Sequence, residues 1–150
     1  MLIRKARLSD VEEILTLVNN YAAEGLMLSK SRSLLYEHIR DFSVLETDGV
    51  IAGVGGLHIL WDDLAEIRSL AVKKEFSYRG FGSQLVQFFL NEAKELNIPR
   101  VFTLTYQVEF FQKQGFYLVD KNNMPQKIWR ECINCPKFPN CDESCLEIIL

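Results

Sequence analysis

A strand, a glycine-containing turn and a long amphipathic helix, in that order, constrain the fold of this chain most. Leu64–Val72 is mostly apolar and includes the β-branched residues Ile67 and Val72, which predicts a strand. Gly80 and Gly82 follow, at the start of the clearest helical pattern in the chain, Phe81–Asn97. The apolar residues of that helix form one stripe: Leu85, Phe89, Ala93 and Leu96. Because such a stripe needs an apolar partner surface, the segment predicts a helix packed on a sheet.

The rest of the chain alternates between strand-like and helix-like segments. Asp48-Gly49 between two apolar runs predicts a hairpin, and Ser9 with Glu12 fits a capping box at a helix start. The other predicted strands are Leu2–Ala6, Phe42–Glu46, Val50–Trp61, Arg100–Tyr106, Phe116–Val119 and Leu146–Leu150, and the other predicted helices are residues 10–23, Ser31–Asp41 and Glu109–Gln114. The order β-α-α-β-β-β-α-β-α-β-tail-β predicts an α/β (α+β) domain. Its central mixed, mostly antiparallel sheet would carry helices on both faces.

Length and charge limit the classes of function. A chain of 150 residues predicts one domain, residues 1–150, with a cysteine-rich tail over 122–150 as part of it. Seventeen basic against 20 acidic residues give a net charge of −3, so we expect no nucleic-acid partner. No apolar stretch is long enough to span a bilayer, and the first residues lack a signal-peptide pattern, so we expect no membrane and a cytoplasmic location.

The turn before the long helix has the features of a phosphate-binding site. The first amides of a helix have no partners within the helix and lie at the positive end of its dipole. A pyrophosphate could therefore bind there, with Lys73, Lys74 and Arg79 adding charge. The alternative is a glycine-rich turn with solvated basic residues. The pattern is neither the dinucleotide-binding fingerprint nor a P-loop, because it lacks a third glycine and a following Gly-Lys-Ser/Thr.

Several stretches resemble the GCN5-related N-acetyltransferases (GNAT). Ser77-Tyr78-Arg79-Gly80-Phe81-Gly82 resembles their coenzyme A motif, Gln/Arg-x-x-Gly-x-Gly/Ala, with Ser77 in the opening position. Residues 110–116 resemble the Phe-Tyr-x-Lys-x-Gly-Phe ending of a later helix. Residues 31–35, 42–49 and 65–72 look like bacterial amino-acid N-acetyltransferases that make N-acetylglutamate for arginine biosynthesis. The resemblance implies the GNAT fold, acetyl-CoA as co-substrate and an amino-acid acceptor, L-glutamate first, in a short stand-alone form.

The resemblance also implies where acetyl-CoA would bind. In the family, the strand Leu64–Val72 splays from Arg100–Tyr106, and its amides bind the acetyl carbonyl and the pantetheine arm. Phe111 stands where many members carry a tyrosine that protonates the leaving thiolate, which a phenylalanine cannot do. The implied cofactor-binding residues are Leu70, Ala71, Val72, Ser77, Tyr78, Arg79, Gly80, Phe81, Gly82, Ser83 and Phe111.

Acetyl transfer needs a base for the amine and a proton donor for the thiolate. Glu66 is our general-base candidate, since a carboxylate among apolar residues has its pKa raised into a useful range. The alternative is a strand carboxylate paired with Arg68. Thr105 and Tyr106 are the candidates to act toward the thiolate, the alternative for Tyr106 being a place on the core margin.

The acceptor's carboxylates need cations. Arg32 is the first candidate, because a guanidinium pairs with a carboxylate through two hydrogen bonds. Lys30 is its weaker neighbour, and Ser69 is assigned to substrate binding through its backbone. Lys127 is the candidate for a second carboxylate; for any of these cations the alternative is a solvated surface charge. His58, alone on a strand, is interpreted as structural.

Four cysteines lie close together in the tail. Cys132, Cys135, Cys141 and Cys145 have the spacing C-x2-C-x5-C-x3-C. Four thiolates can hold one structural zinc ion, and a C-x2-C pair is a common half-site. Unmetallated thiols, and a disulfide or an iron–sulfur cluster, remain open alternatives.

Two other functions fit the same residues. One is acetylation of another small amine or of a protein N-terminus. The other is a non-catalytic acyl-CoA-binding module, which Ser77 and Phe111 would favour and which Glu66 and Arg32 oppose. The sequence leaves the oligomeric state open, a homodimer included.

Overall fold

The computed structural model describes residues 1–124 and 142–150. Within these ranges the strands are β1 (Leu2–Lys5), β2 (Phe42–Thr47), β3 (Val50–Trp61), β4 (Leu64–Val72), β5 (Arg100–Thr105), β6 (Tyr117–Val119) and β7 (Ser144–Ile149). The helices are α1 (Val11–Ala23), α2 (Arg32–Glu37), α3 (Phe81–Glu95) and α4 (Val108–Lys113). Short 3-10 segments cover Leu8–Asp10, Ile39–Asp41, Lys74–Phe76 and Lys121–Asn123. None of the helices in the described ranges has the length and apolar character that crossing a bilayer requires.

The described strands form one sheet in the order β1-β2-β3-β4-β5-β7-β6. Only the neighbours β4 and β5 pair in parallel, and the other neighbours pair antiparallel. The predicted order of strands and helices and the mostly antiparallel mixed sheet are therefore confirmed. The last strand, β7, lies between β5 and β6, so Leu146 pairs with Thr103 on one side and with Leu118 on the other.

Helices cover both faces of the sheet, as predicted. The apolar stripe of α3 packs on one face, where Phe89 is fully buried with Ile67 and Val101. On the other face, α1 and α2 bury Ile14 and Leu35 against the sheet. A third buried cluster consists of Leu64, Phe102, Met124 and Cys145. The alternation of strand residues between the two faces explains why both faces are apolar.

The start of α1 differs from the predicted capping box. Ser9 lies inside the 3-10 segment, and the residue before α1 is Asp10. The carboxylate of Asp10 accepts a hydrogen bond from the Arg7 amide at 2.7 Å and pairs with Arg4 at 2.7 and 3.0 Å. Arg4 also contacts Glu46 on β2 at 2.6 Å. The prediction of a Ser9 cap is therefore wrong, because an ion pair with Arg4 places Asp10 at this helix start.

The second predicted helix is shorter than expected. Ser31 caps α2, since its hydroxyl accepts a hydrogen bond from the Leu34 amide at 3.2 Å. The helix ends at Glu37, and His38 with φ −110° and ψ 19° leads into a separate 3-10 segment that ends at Asp41. This break places Asp41 directly before β2.

Candidate active site

A wedge opens between β4 and β5. The last paired residues of the two strands are Glu66 and Phe102, although β4 continues to Val72. Where the strands part, the Thr103 hydroxyl donates a hydrogen bond to the Ile67 carbonyl at 3.0 Å. The splay that the resemblance implied is confirmed. The wedge offers the backbone of β4, beyond its last pairing with β5, to a ligand.

The backbone of β4 bulges beside the wedge. Gly56 on β3 pairs with Arg68, but Val54 pairs with Ala71, so β4 has one more residue than β3 between these pairs. Ser69 lies in this bulge with φ +56°. A non-glycine residue in the left-handed region is strained, and such residues cluster at functional sites. A bulge of this kind bends the strand and changes the direction of its backbone, here on the part of β4 that lies along the wedge.

The turn between β4 and α3 has the geometry of an anion site. Gly80 precedes α3 with φ +79°, a conformation that favours glycine, and no acidic residue lies in the first turn of the helix. The Arg79 guanidinium stacks on the Phe76 ring at 5.2 Å, and Tyr78 is fully exposed. The residues predicted at 77–83 thus form this turn and the start of α3, with helix amides and one guanidinium beside them.

The first turn of α3 packs closely on α4. A Cβ atom at Gly82 would lie 3.2 Å from the Phe110 ring, so this glycine allows the helix to approach α4. Ser83 accepts a hydrogen bond from Gln114 at 2.8 Å. Phe111, predicted to contact the cofactor, is 3% exposed and packs in the core against Phe116. The structure therefore places Phe110, one residue earlier, against the first turn of α3 in place of Phe111.

The basic residues at the end of β4 face α1. Lys74 pairs with Glu24, the residue directly after α1, at 2.5 Å, and the Tyr21 hydroxyl donates to the Val72 carbonyl at 2.6 Å. A groove of about 740 Å³ runs between α1 and residues 73–75. The charge of Lys74 is thus balanced by Glu24, and Lys73 lines the same groove.

Glu66 forms a buried ion pair. Its side chain is 6% exposed, and Oε1 accepts a hydrogen bond from Arg68 Nε at 2.5 Å. The pairing with Arg68 that the sequence offered as an alternative is therefore present. Because the pair is shielded from water, it fixes the position of the carboxylate at the base of the wedge.

His58 lies directly across from Glu66 and has a carboxylate of its own. The two residues are Cα partners in the β3–β4 ladder, so their side chains share one face. His58 Nδ1 lies 3.2 Å from Asp41 Oδ2, while Nε2 is buried and has no hydrogen-bond partner among the described residues. Burial lowers the pKa of His58 below the ordinary histidine value, against the opposing effect of Asp41. The imidazole is therefore neutral near pH 7.

A small cationic cavity adjoins this pair of residues. It has a volume of about 70 Å³, and Lys30, His58, Arg68 and Phe42 contribute to its wall. The backbone of Lys30 is held by Asn19 of α1 through hydrogen bonds of 2.9 and 3.1 Å. Lys30 and Arg68 thus both line the cavity, and Arg68 in turn pairs with the buried Glu66.

Arg32 lies elsewhere. Its guanidinium forms two hydrogen bonds, of 2.6 and 3.0 Å, with the carboxylate of Glu12 on α1. Both side chains are more than half exposed. The structure therefore brings Lys30 to the cavity and leaves the first carboxylate-binding candidate in a surface ion pair.

The two hydroxyl candidates lie at the end of β5, of which Thr105 is the last residue and Tyr106 the next one along the chain. Thr105 Oγ1 accepts a hydrogen bond from the Gln107 amide at 2.9 Å. The Tyr106 hydroxyl lies 2.5 Å from Asp142 Oδ1. Both residues therefore lie at the end of β5, the strand that forms one wall of the wedge.

The tail residues are described only in part. Lys127, Cys132, Cys135 and Cys141 lie outside the described residues. Cys145 is buried in β7, and burial raises its pKa to about 12. In residues 1–124 and 142–150, no group of three His, Cys, Asp or Glu side chains could hold a metal ion.

Comparison with known proteins decides the family. The sequence model of the acetyltransferase (GNAT) family matches residues 8–116, most of the chain. The chain belongs to the GNAT acetyltransferase family. An uncharacterized N-acetyltransferase of Chlorobaculum tepidum is 43% identical over 141 residues, which cover 94% of this chain and 91% of the relative. An amino-acid acetyltransferase of Mycobacterium tuberculosis is 38% identical over 132 residues, covering 86% and 75%.

Solved structures agree with this GNAT assignment. A Mycobacterium tuberculosis protein in complex with CoA matches with a TM-score of 0.87 at 32% identity, over 100% of this chain and 99% of that one. The N-acetylglutamate synthase from Neisseria gonorrhoeae, complexed with coenzyme A and N-acetyl-glutamate, matches with a TM-score of 0.89 at 28% identity. That match covers 99% of this chain and 35% of the synthase. This GNAT chain is therefore an N-acetyltransferase related to amino-acid acetyltransferases.

The sequence assigned no catalytic or binding role to three residues of this GNAT site. They are Asp41, which contacts His58, and Arg68 and His58 themselves, which line the cavity. The sequence offered Arg68 only as a partner of Glu66, which fits the alternation of side chains along β4, and His58 only as a structural residue. Asp41 is distant in sequence from both, and nothing in the sequence pairs it with His58.

Proposed function

We propose that this N-acetyltransferase transfers the acetyl group of acetyl-CoA to the α-amino group of a dicarboxylic amino acid, L-glutamate first. The observation that carries the proposal is the cavity that both Lys30 and Arg68 line, with Arg68 paired to the buried Glu66. The names of the Mycobacterium and Neisseria relatives support an amino-acid acceptor. With L-glutamate, the product would be N-acetylglutamate, and the enzyme would serve arginine biosynthesis in the cytoplasm.

Acetyl-CoA would bind along the turn and the wedge. Its pyrophosphate would accept hydrogen bonds from the amides at the start of α3, near Arg79–Ser83, where the helix dipole favours an anion. The pantetheine arm would lie between β4 and β5, where β4 has no pairing with β5 beyond Glu66. The thioester oxygen would then meet the amides of the Ser69 bulge as negative charge develops on it.

Glu66 would act as the general base. An ammonium has no lone pair, so the acceptor must lose a proton before it attacks the thioester. The ion pair with Arg68 holds the Glu66 carboxylate in one place, which makes the reacting geometry reproducible.

Thr105 would donate toward the leaving thiolate. A hydroxyl can donate one hydrogen bond while it accepts others. The described contact of Thr105 uses its oxygen as an acceptor, whereas the Tyr106 hydroxyl contacts a carboxylate. Thr105 can therefore donate a hydrogen bond to the thiolate without breaking its contact with the Gln107 amide, and Tyr106 remains the second candidate.

Lys30 and Arg68 would bind an acceptor carboxylate. A carboxylate that leaves water needs charge-assisted partners, and both cations line the cavity, Lys30 from the loop before α2 and Arg68 from β4. Arg32 is not carried forward, because it does not line the cavity and its exposed guanidinium pairs with Glu12.

The direct test is acetyl-CoA consumption with each of the twenty amino acids, read as free thiol. We expect turnover with glutamate, and less or none with neutral and cationic amino acids. Good turnover of a neutral or cationic amine, or of a peptide N-terminus, would leave an acetyltransferase with a different acceptor. Binding of acetyl-CoA without turnover of any amine would instead make the chain an acyl-CoA-binding module.

A further inference from the structure

Acetylation removes two protons from one nitrogen. The first leaves the ammonium before attack, and Glu66 has that role in the proposed function. The second leaves the nitrogen of the tetrahedral intermediate while the carbon–sulfur bond breaks. Glu66 already carries the first proton, so the second needs a separate acceptor.

His58 has the orientation that a proton acceptor requires. Its Nδ1 faces the Asp41 carboxylate at 3.2 Å, and because an ionised carboxylate only accepts hydrogen bonds, we assign the proton of the neutral ring to Nδ1. The lone pair is then on Nε2, which is buried and has no hydrogen-bond partner among the described residues. A side chain that is nine-tenths buried with an unsatisfied ring nitrogen is costly unless a ligand completes it.

The ring of His58 extends toward the bulge of β4. A Cβ atom at Gly56 would lie 2.8 Å from His58 Nε2, so the ring lies over Gly56, two residues back along β3. Gly56 pairs with Arg68, and the Ser69 bulge follows directly. The Cα atom of His58 pairs with Glu66, and Nε2 of the same residue therefore lies nearer the bulge than this Cα atom does.

We propose that His58 Nε2 accepts the second proton of the acceptor nitrogen, with Asp41 as its positioning partner; this inference rests on the proposed function. The N–H bond of the intermediate breaks and its proton passes to Nε2. The carbon–sulfur bond breaks at the same stage, and its electron pair leaves with sulfur. Asp41 stabilises the imidazolium, which later returns its proton to water.

The charges around His58 make its role as proton acceptor depend on pH. The titratable and charged groups that face it are Asp41 before β2, Glu66 and Arg68 on β4, Lys30 before α2 and His38 at the end of α2. Burial and Arg68 disfavour the imidazolium, while Asp41 favours it. We expect kcat to rise with pH as His58 loses its proton, at a pH below the ordinary histidine value of about 6.5.

The kinetic test compares His58→Gln with the wild type. A glutamine keeps a polar group in the cavity but accepts no proton. We expect kcat to fall about 10²-fold, with the acetyl-CoA dissociation constant and the acceptor KM within about threefold. The rise of kcat with pH on the acidic side of the profile should disappear, and high pH should not restore the rate. A kcat within threefold of wild type, with the acidic rise intact, would overturn the proposal.

Two further variants separate positioning from folding. Asp41→Asn should lower kcat and shift the acidic rise, while Asp48→Asn, an exposed acid in the β2–β3 turn, should do neither. If His58→Gln fails to fold, nitrogen NMR of His38→Gln decides, because His58 is then the single histidine of the chain. A neutral ring protonated on Nδ1 supports the role, and one protonated on Nε2 contradicts it.

The outcomes also separate this inference from the proposed function. If the wild type acetylates an amino acid and His58→Gln matches it, only the role of His58 fails. If the wild type acetylates no amine, the proposed function fails and the role of His58 fails with it.

Discussion

The side chain of Glu66 shows how one neighbour changes the interpretation of a residue. From the sequence, Glu66 is either a general base or a partner of Arg68, and the structure contains the second arrangement with a contact of 2.5 Å. The two roles are compatible, since a base must be held in place before it can act.

Replacement of Glu66 by Gln should separate catalysis from binding. We expect turnover to fall roughly 10²–10⁴-fold near pH 7, while the affinity for acetyl-CoA changes little. Part of the activity should return at high pH, where more of the acceptor amine is already deprotonated. Steady-state kinetics from pH 6 to 10 would show this, with Asp63→Asn, an exposed acid of the β3–β4 turn, as the control. A flat profile would argue against deprotonation of the amine by Glu66.

Lys30→Ala should weaken binding of the acceptor and leave binding of acetyl-CoA unchanged. The loss of one cation from the cavity leaves a buried carboxylate with fewer partners, which costs on the order of 2 kcal/mol. The KM for glutamate should therefore rise about 30-fold, with the KM for acetyl-CoA unchanged. Arg32→Ala is the matched control, because its exposed pair with Glu12 lies outside the cavity. If Arg32→Ala raised the KM for glutamate more than Lys30→Ala did, Arg32 would be assigned to the acceptor site.

At the scale of elements, the start of α3 serves packing and binding together. Gly80 has the positive φ that ends the turn, and Gly82 allows α3 to approach the Phe110 ring. The sequence predicted that both glycines lie where the cofactor binds. The contact with α4 is a second reason for Gly82, and it depends on which residue of α4 faces α3.

Gly82→Val should abolish acetyl-CoA binding while the fold persists. The added side chain would collide with Phe110 and displace the first turn of α3, whose amides the pyrophosphate needs. Calorimetry with acetyl-CoA measures the loss, and circular dichroism confirms the fold. Gly82→Ala, with its single Cβ 3.2 Å from the ring, should have a smaller effect. Equal affinity in Gly82→Val and wild type would place the pyrophosphate elsewhere.

The Arg4–Asp10–Glu46 cluster joins β1, the start of α1 and β2. Arg4 beside Asp10 holds the pKa of that carboxyl below its usual range, so the stabilisation is present above about pH 4 and disappears as pH falls further. Asp10→Asn should reduce the free energy of unfolding by about 2–4 kcal/mol at pH 7, since it breaks a largely buried pair. Urea unfolding at pH 7 and near pH 3 measures both effects, and the variant should differ less from wild type in acid. Asp48→Asn, exposed in a turn, provides the baseline.

At the scale of the whole molecule, a ligand in the wedge should stabilise the fold. Acetyl-CoA would bridge α3, β4 and β5, so it binds the folded chain and not the unfolded one. At 100 times its dissociation constant it should add about 2.7 kcal/mol, which for a domain of this size raises Tm by about 5–10 °C. Differential scanning calorimetry tests this, and Gly82→Val should lose the shift. An unchanged Tm in the wild type would contradict binding at this site.

The sequence by itself determined the elements and their order. Helical stripes such as that of α3, and turn residues such as Asp48-Gly49, are local signals, because the periodicity of apolar residues depends on the geometry of one helix or strand. The turn at 77–83 was predictable for the same reason. The mostly antiparallel sheet followed from the short connections between its strands.

Only the tertiary structure decided the register and the partners. The register of the β3–β4 ladder shifts between Ile59 and Trp61, and His58 therefore pairs with Glu66 and shares its face of the sheet. If the pairs were counted outward from the β3–β4 turn without this shift, His58 would lie on the opposite face from Glu66. The insertion of β7 between β5 and β6 and the Asp41–His58 contact likewise depend on segments far apart in sequence. Local propensities contain no information on such contacts, because their free energy is realised only when the whole sheet has formed.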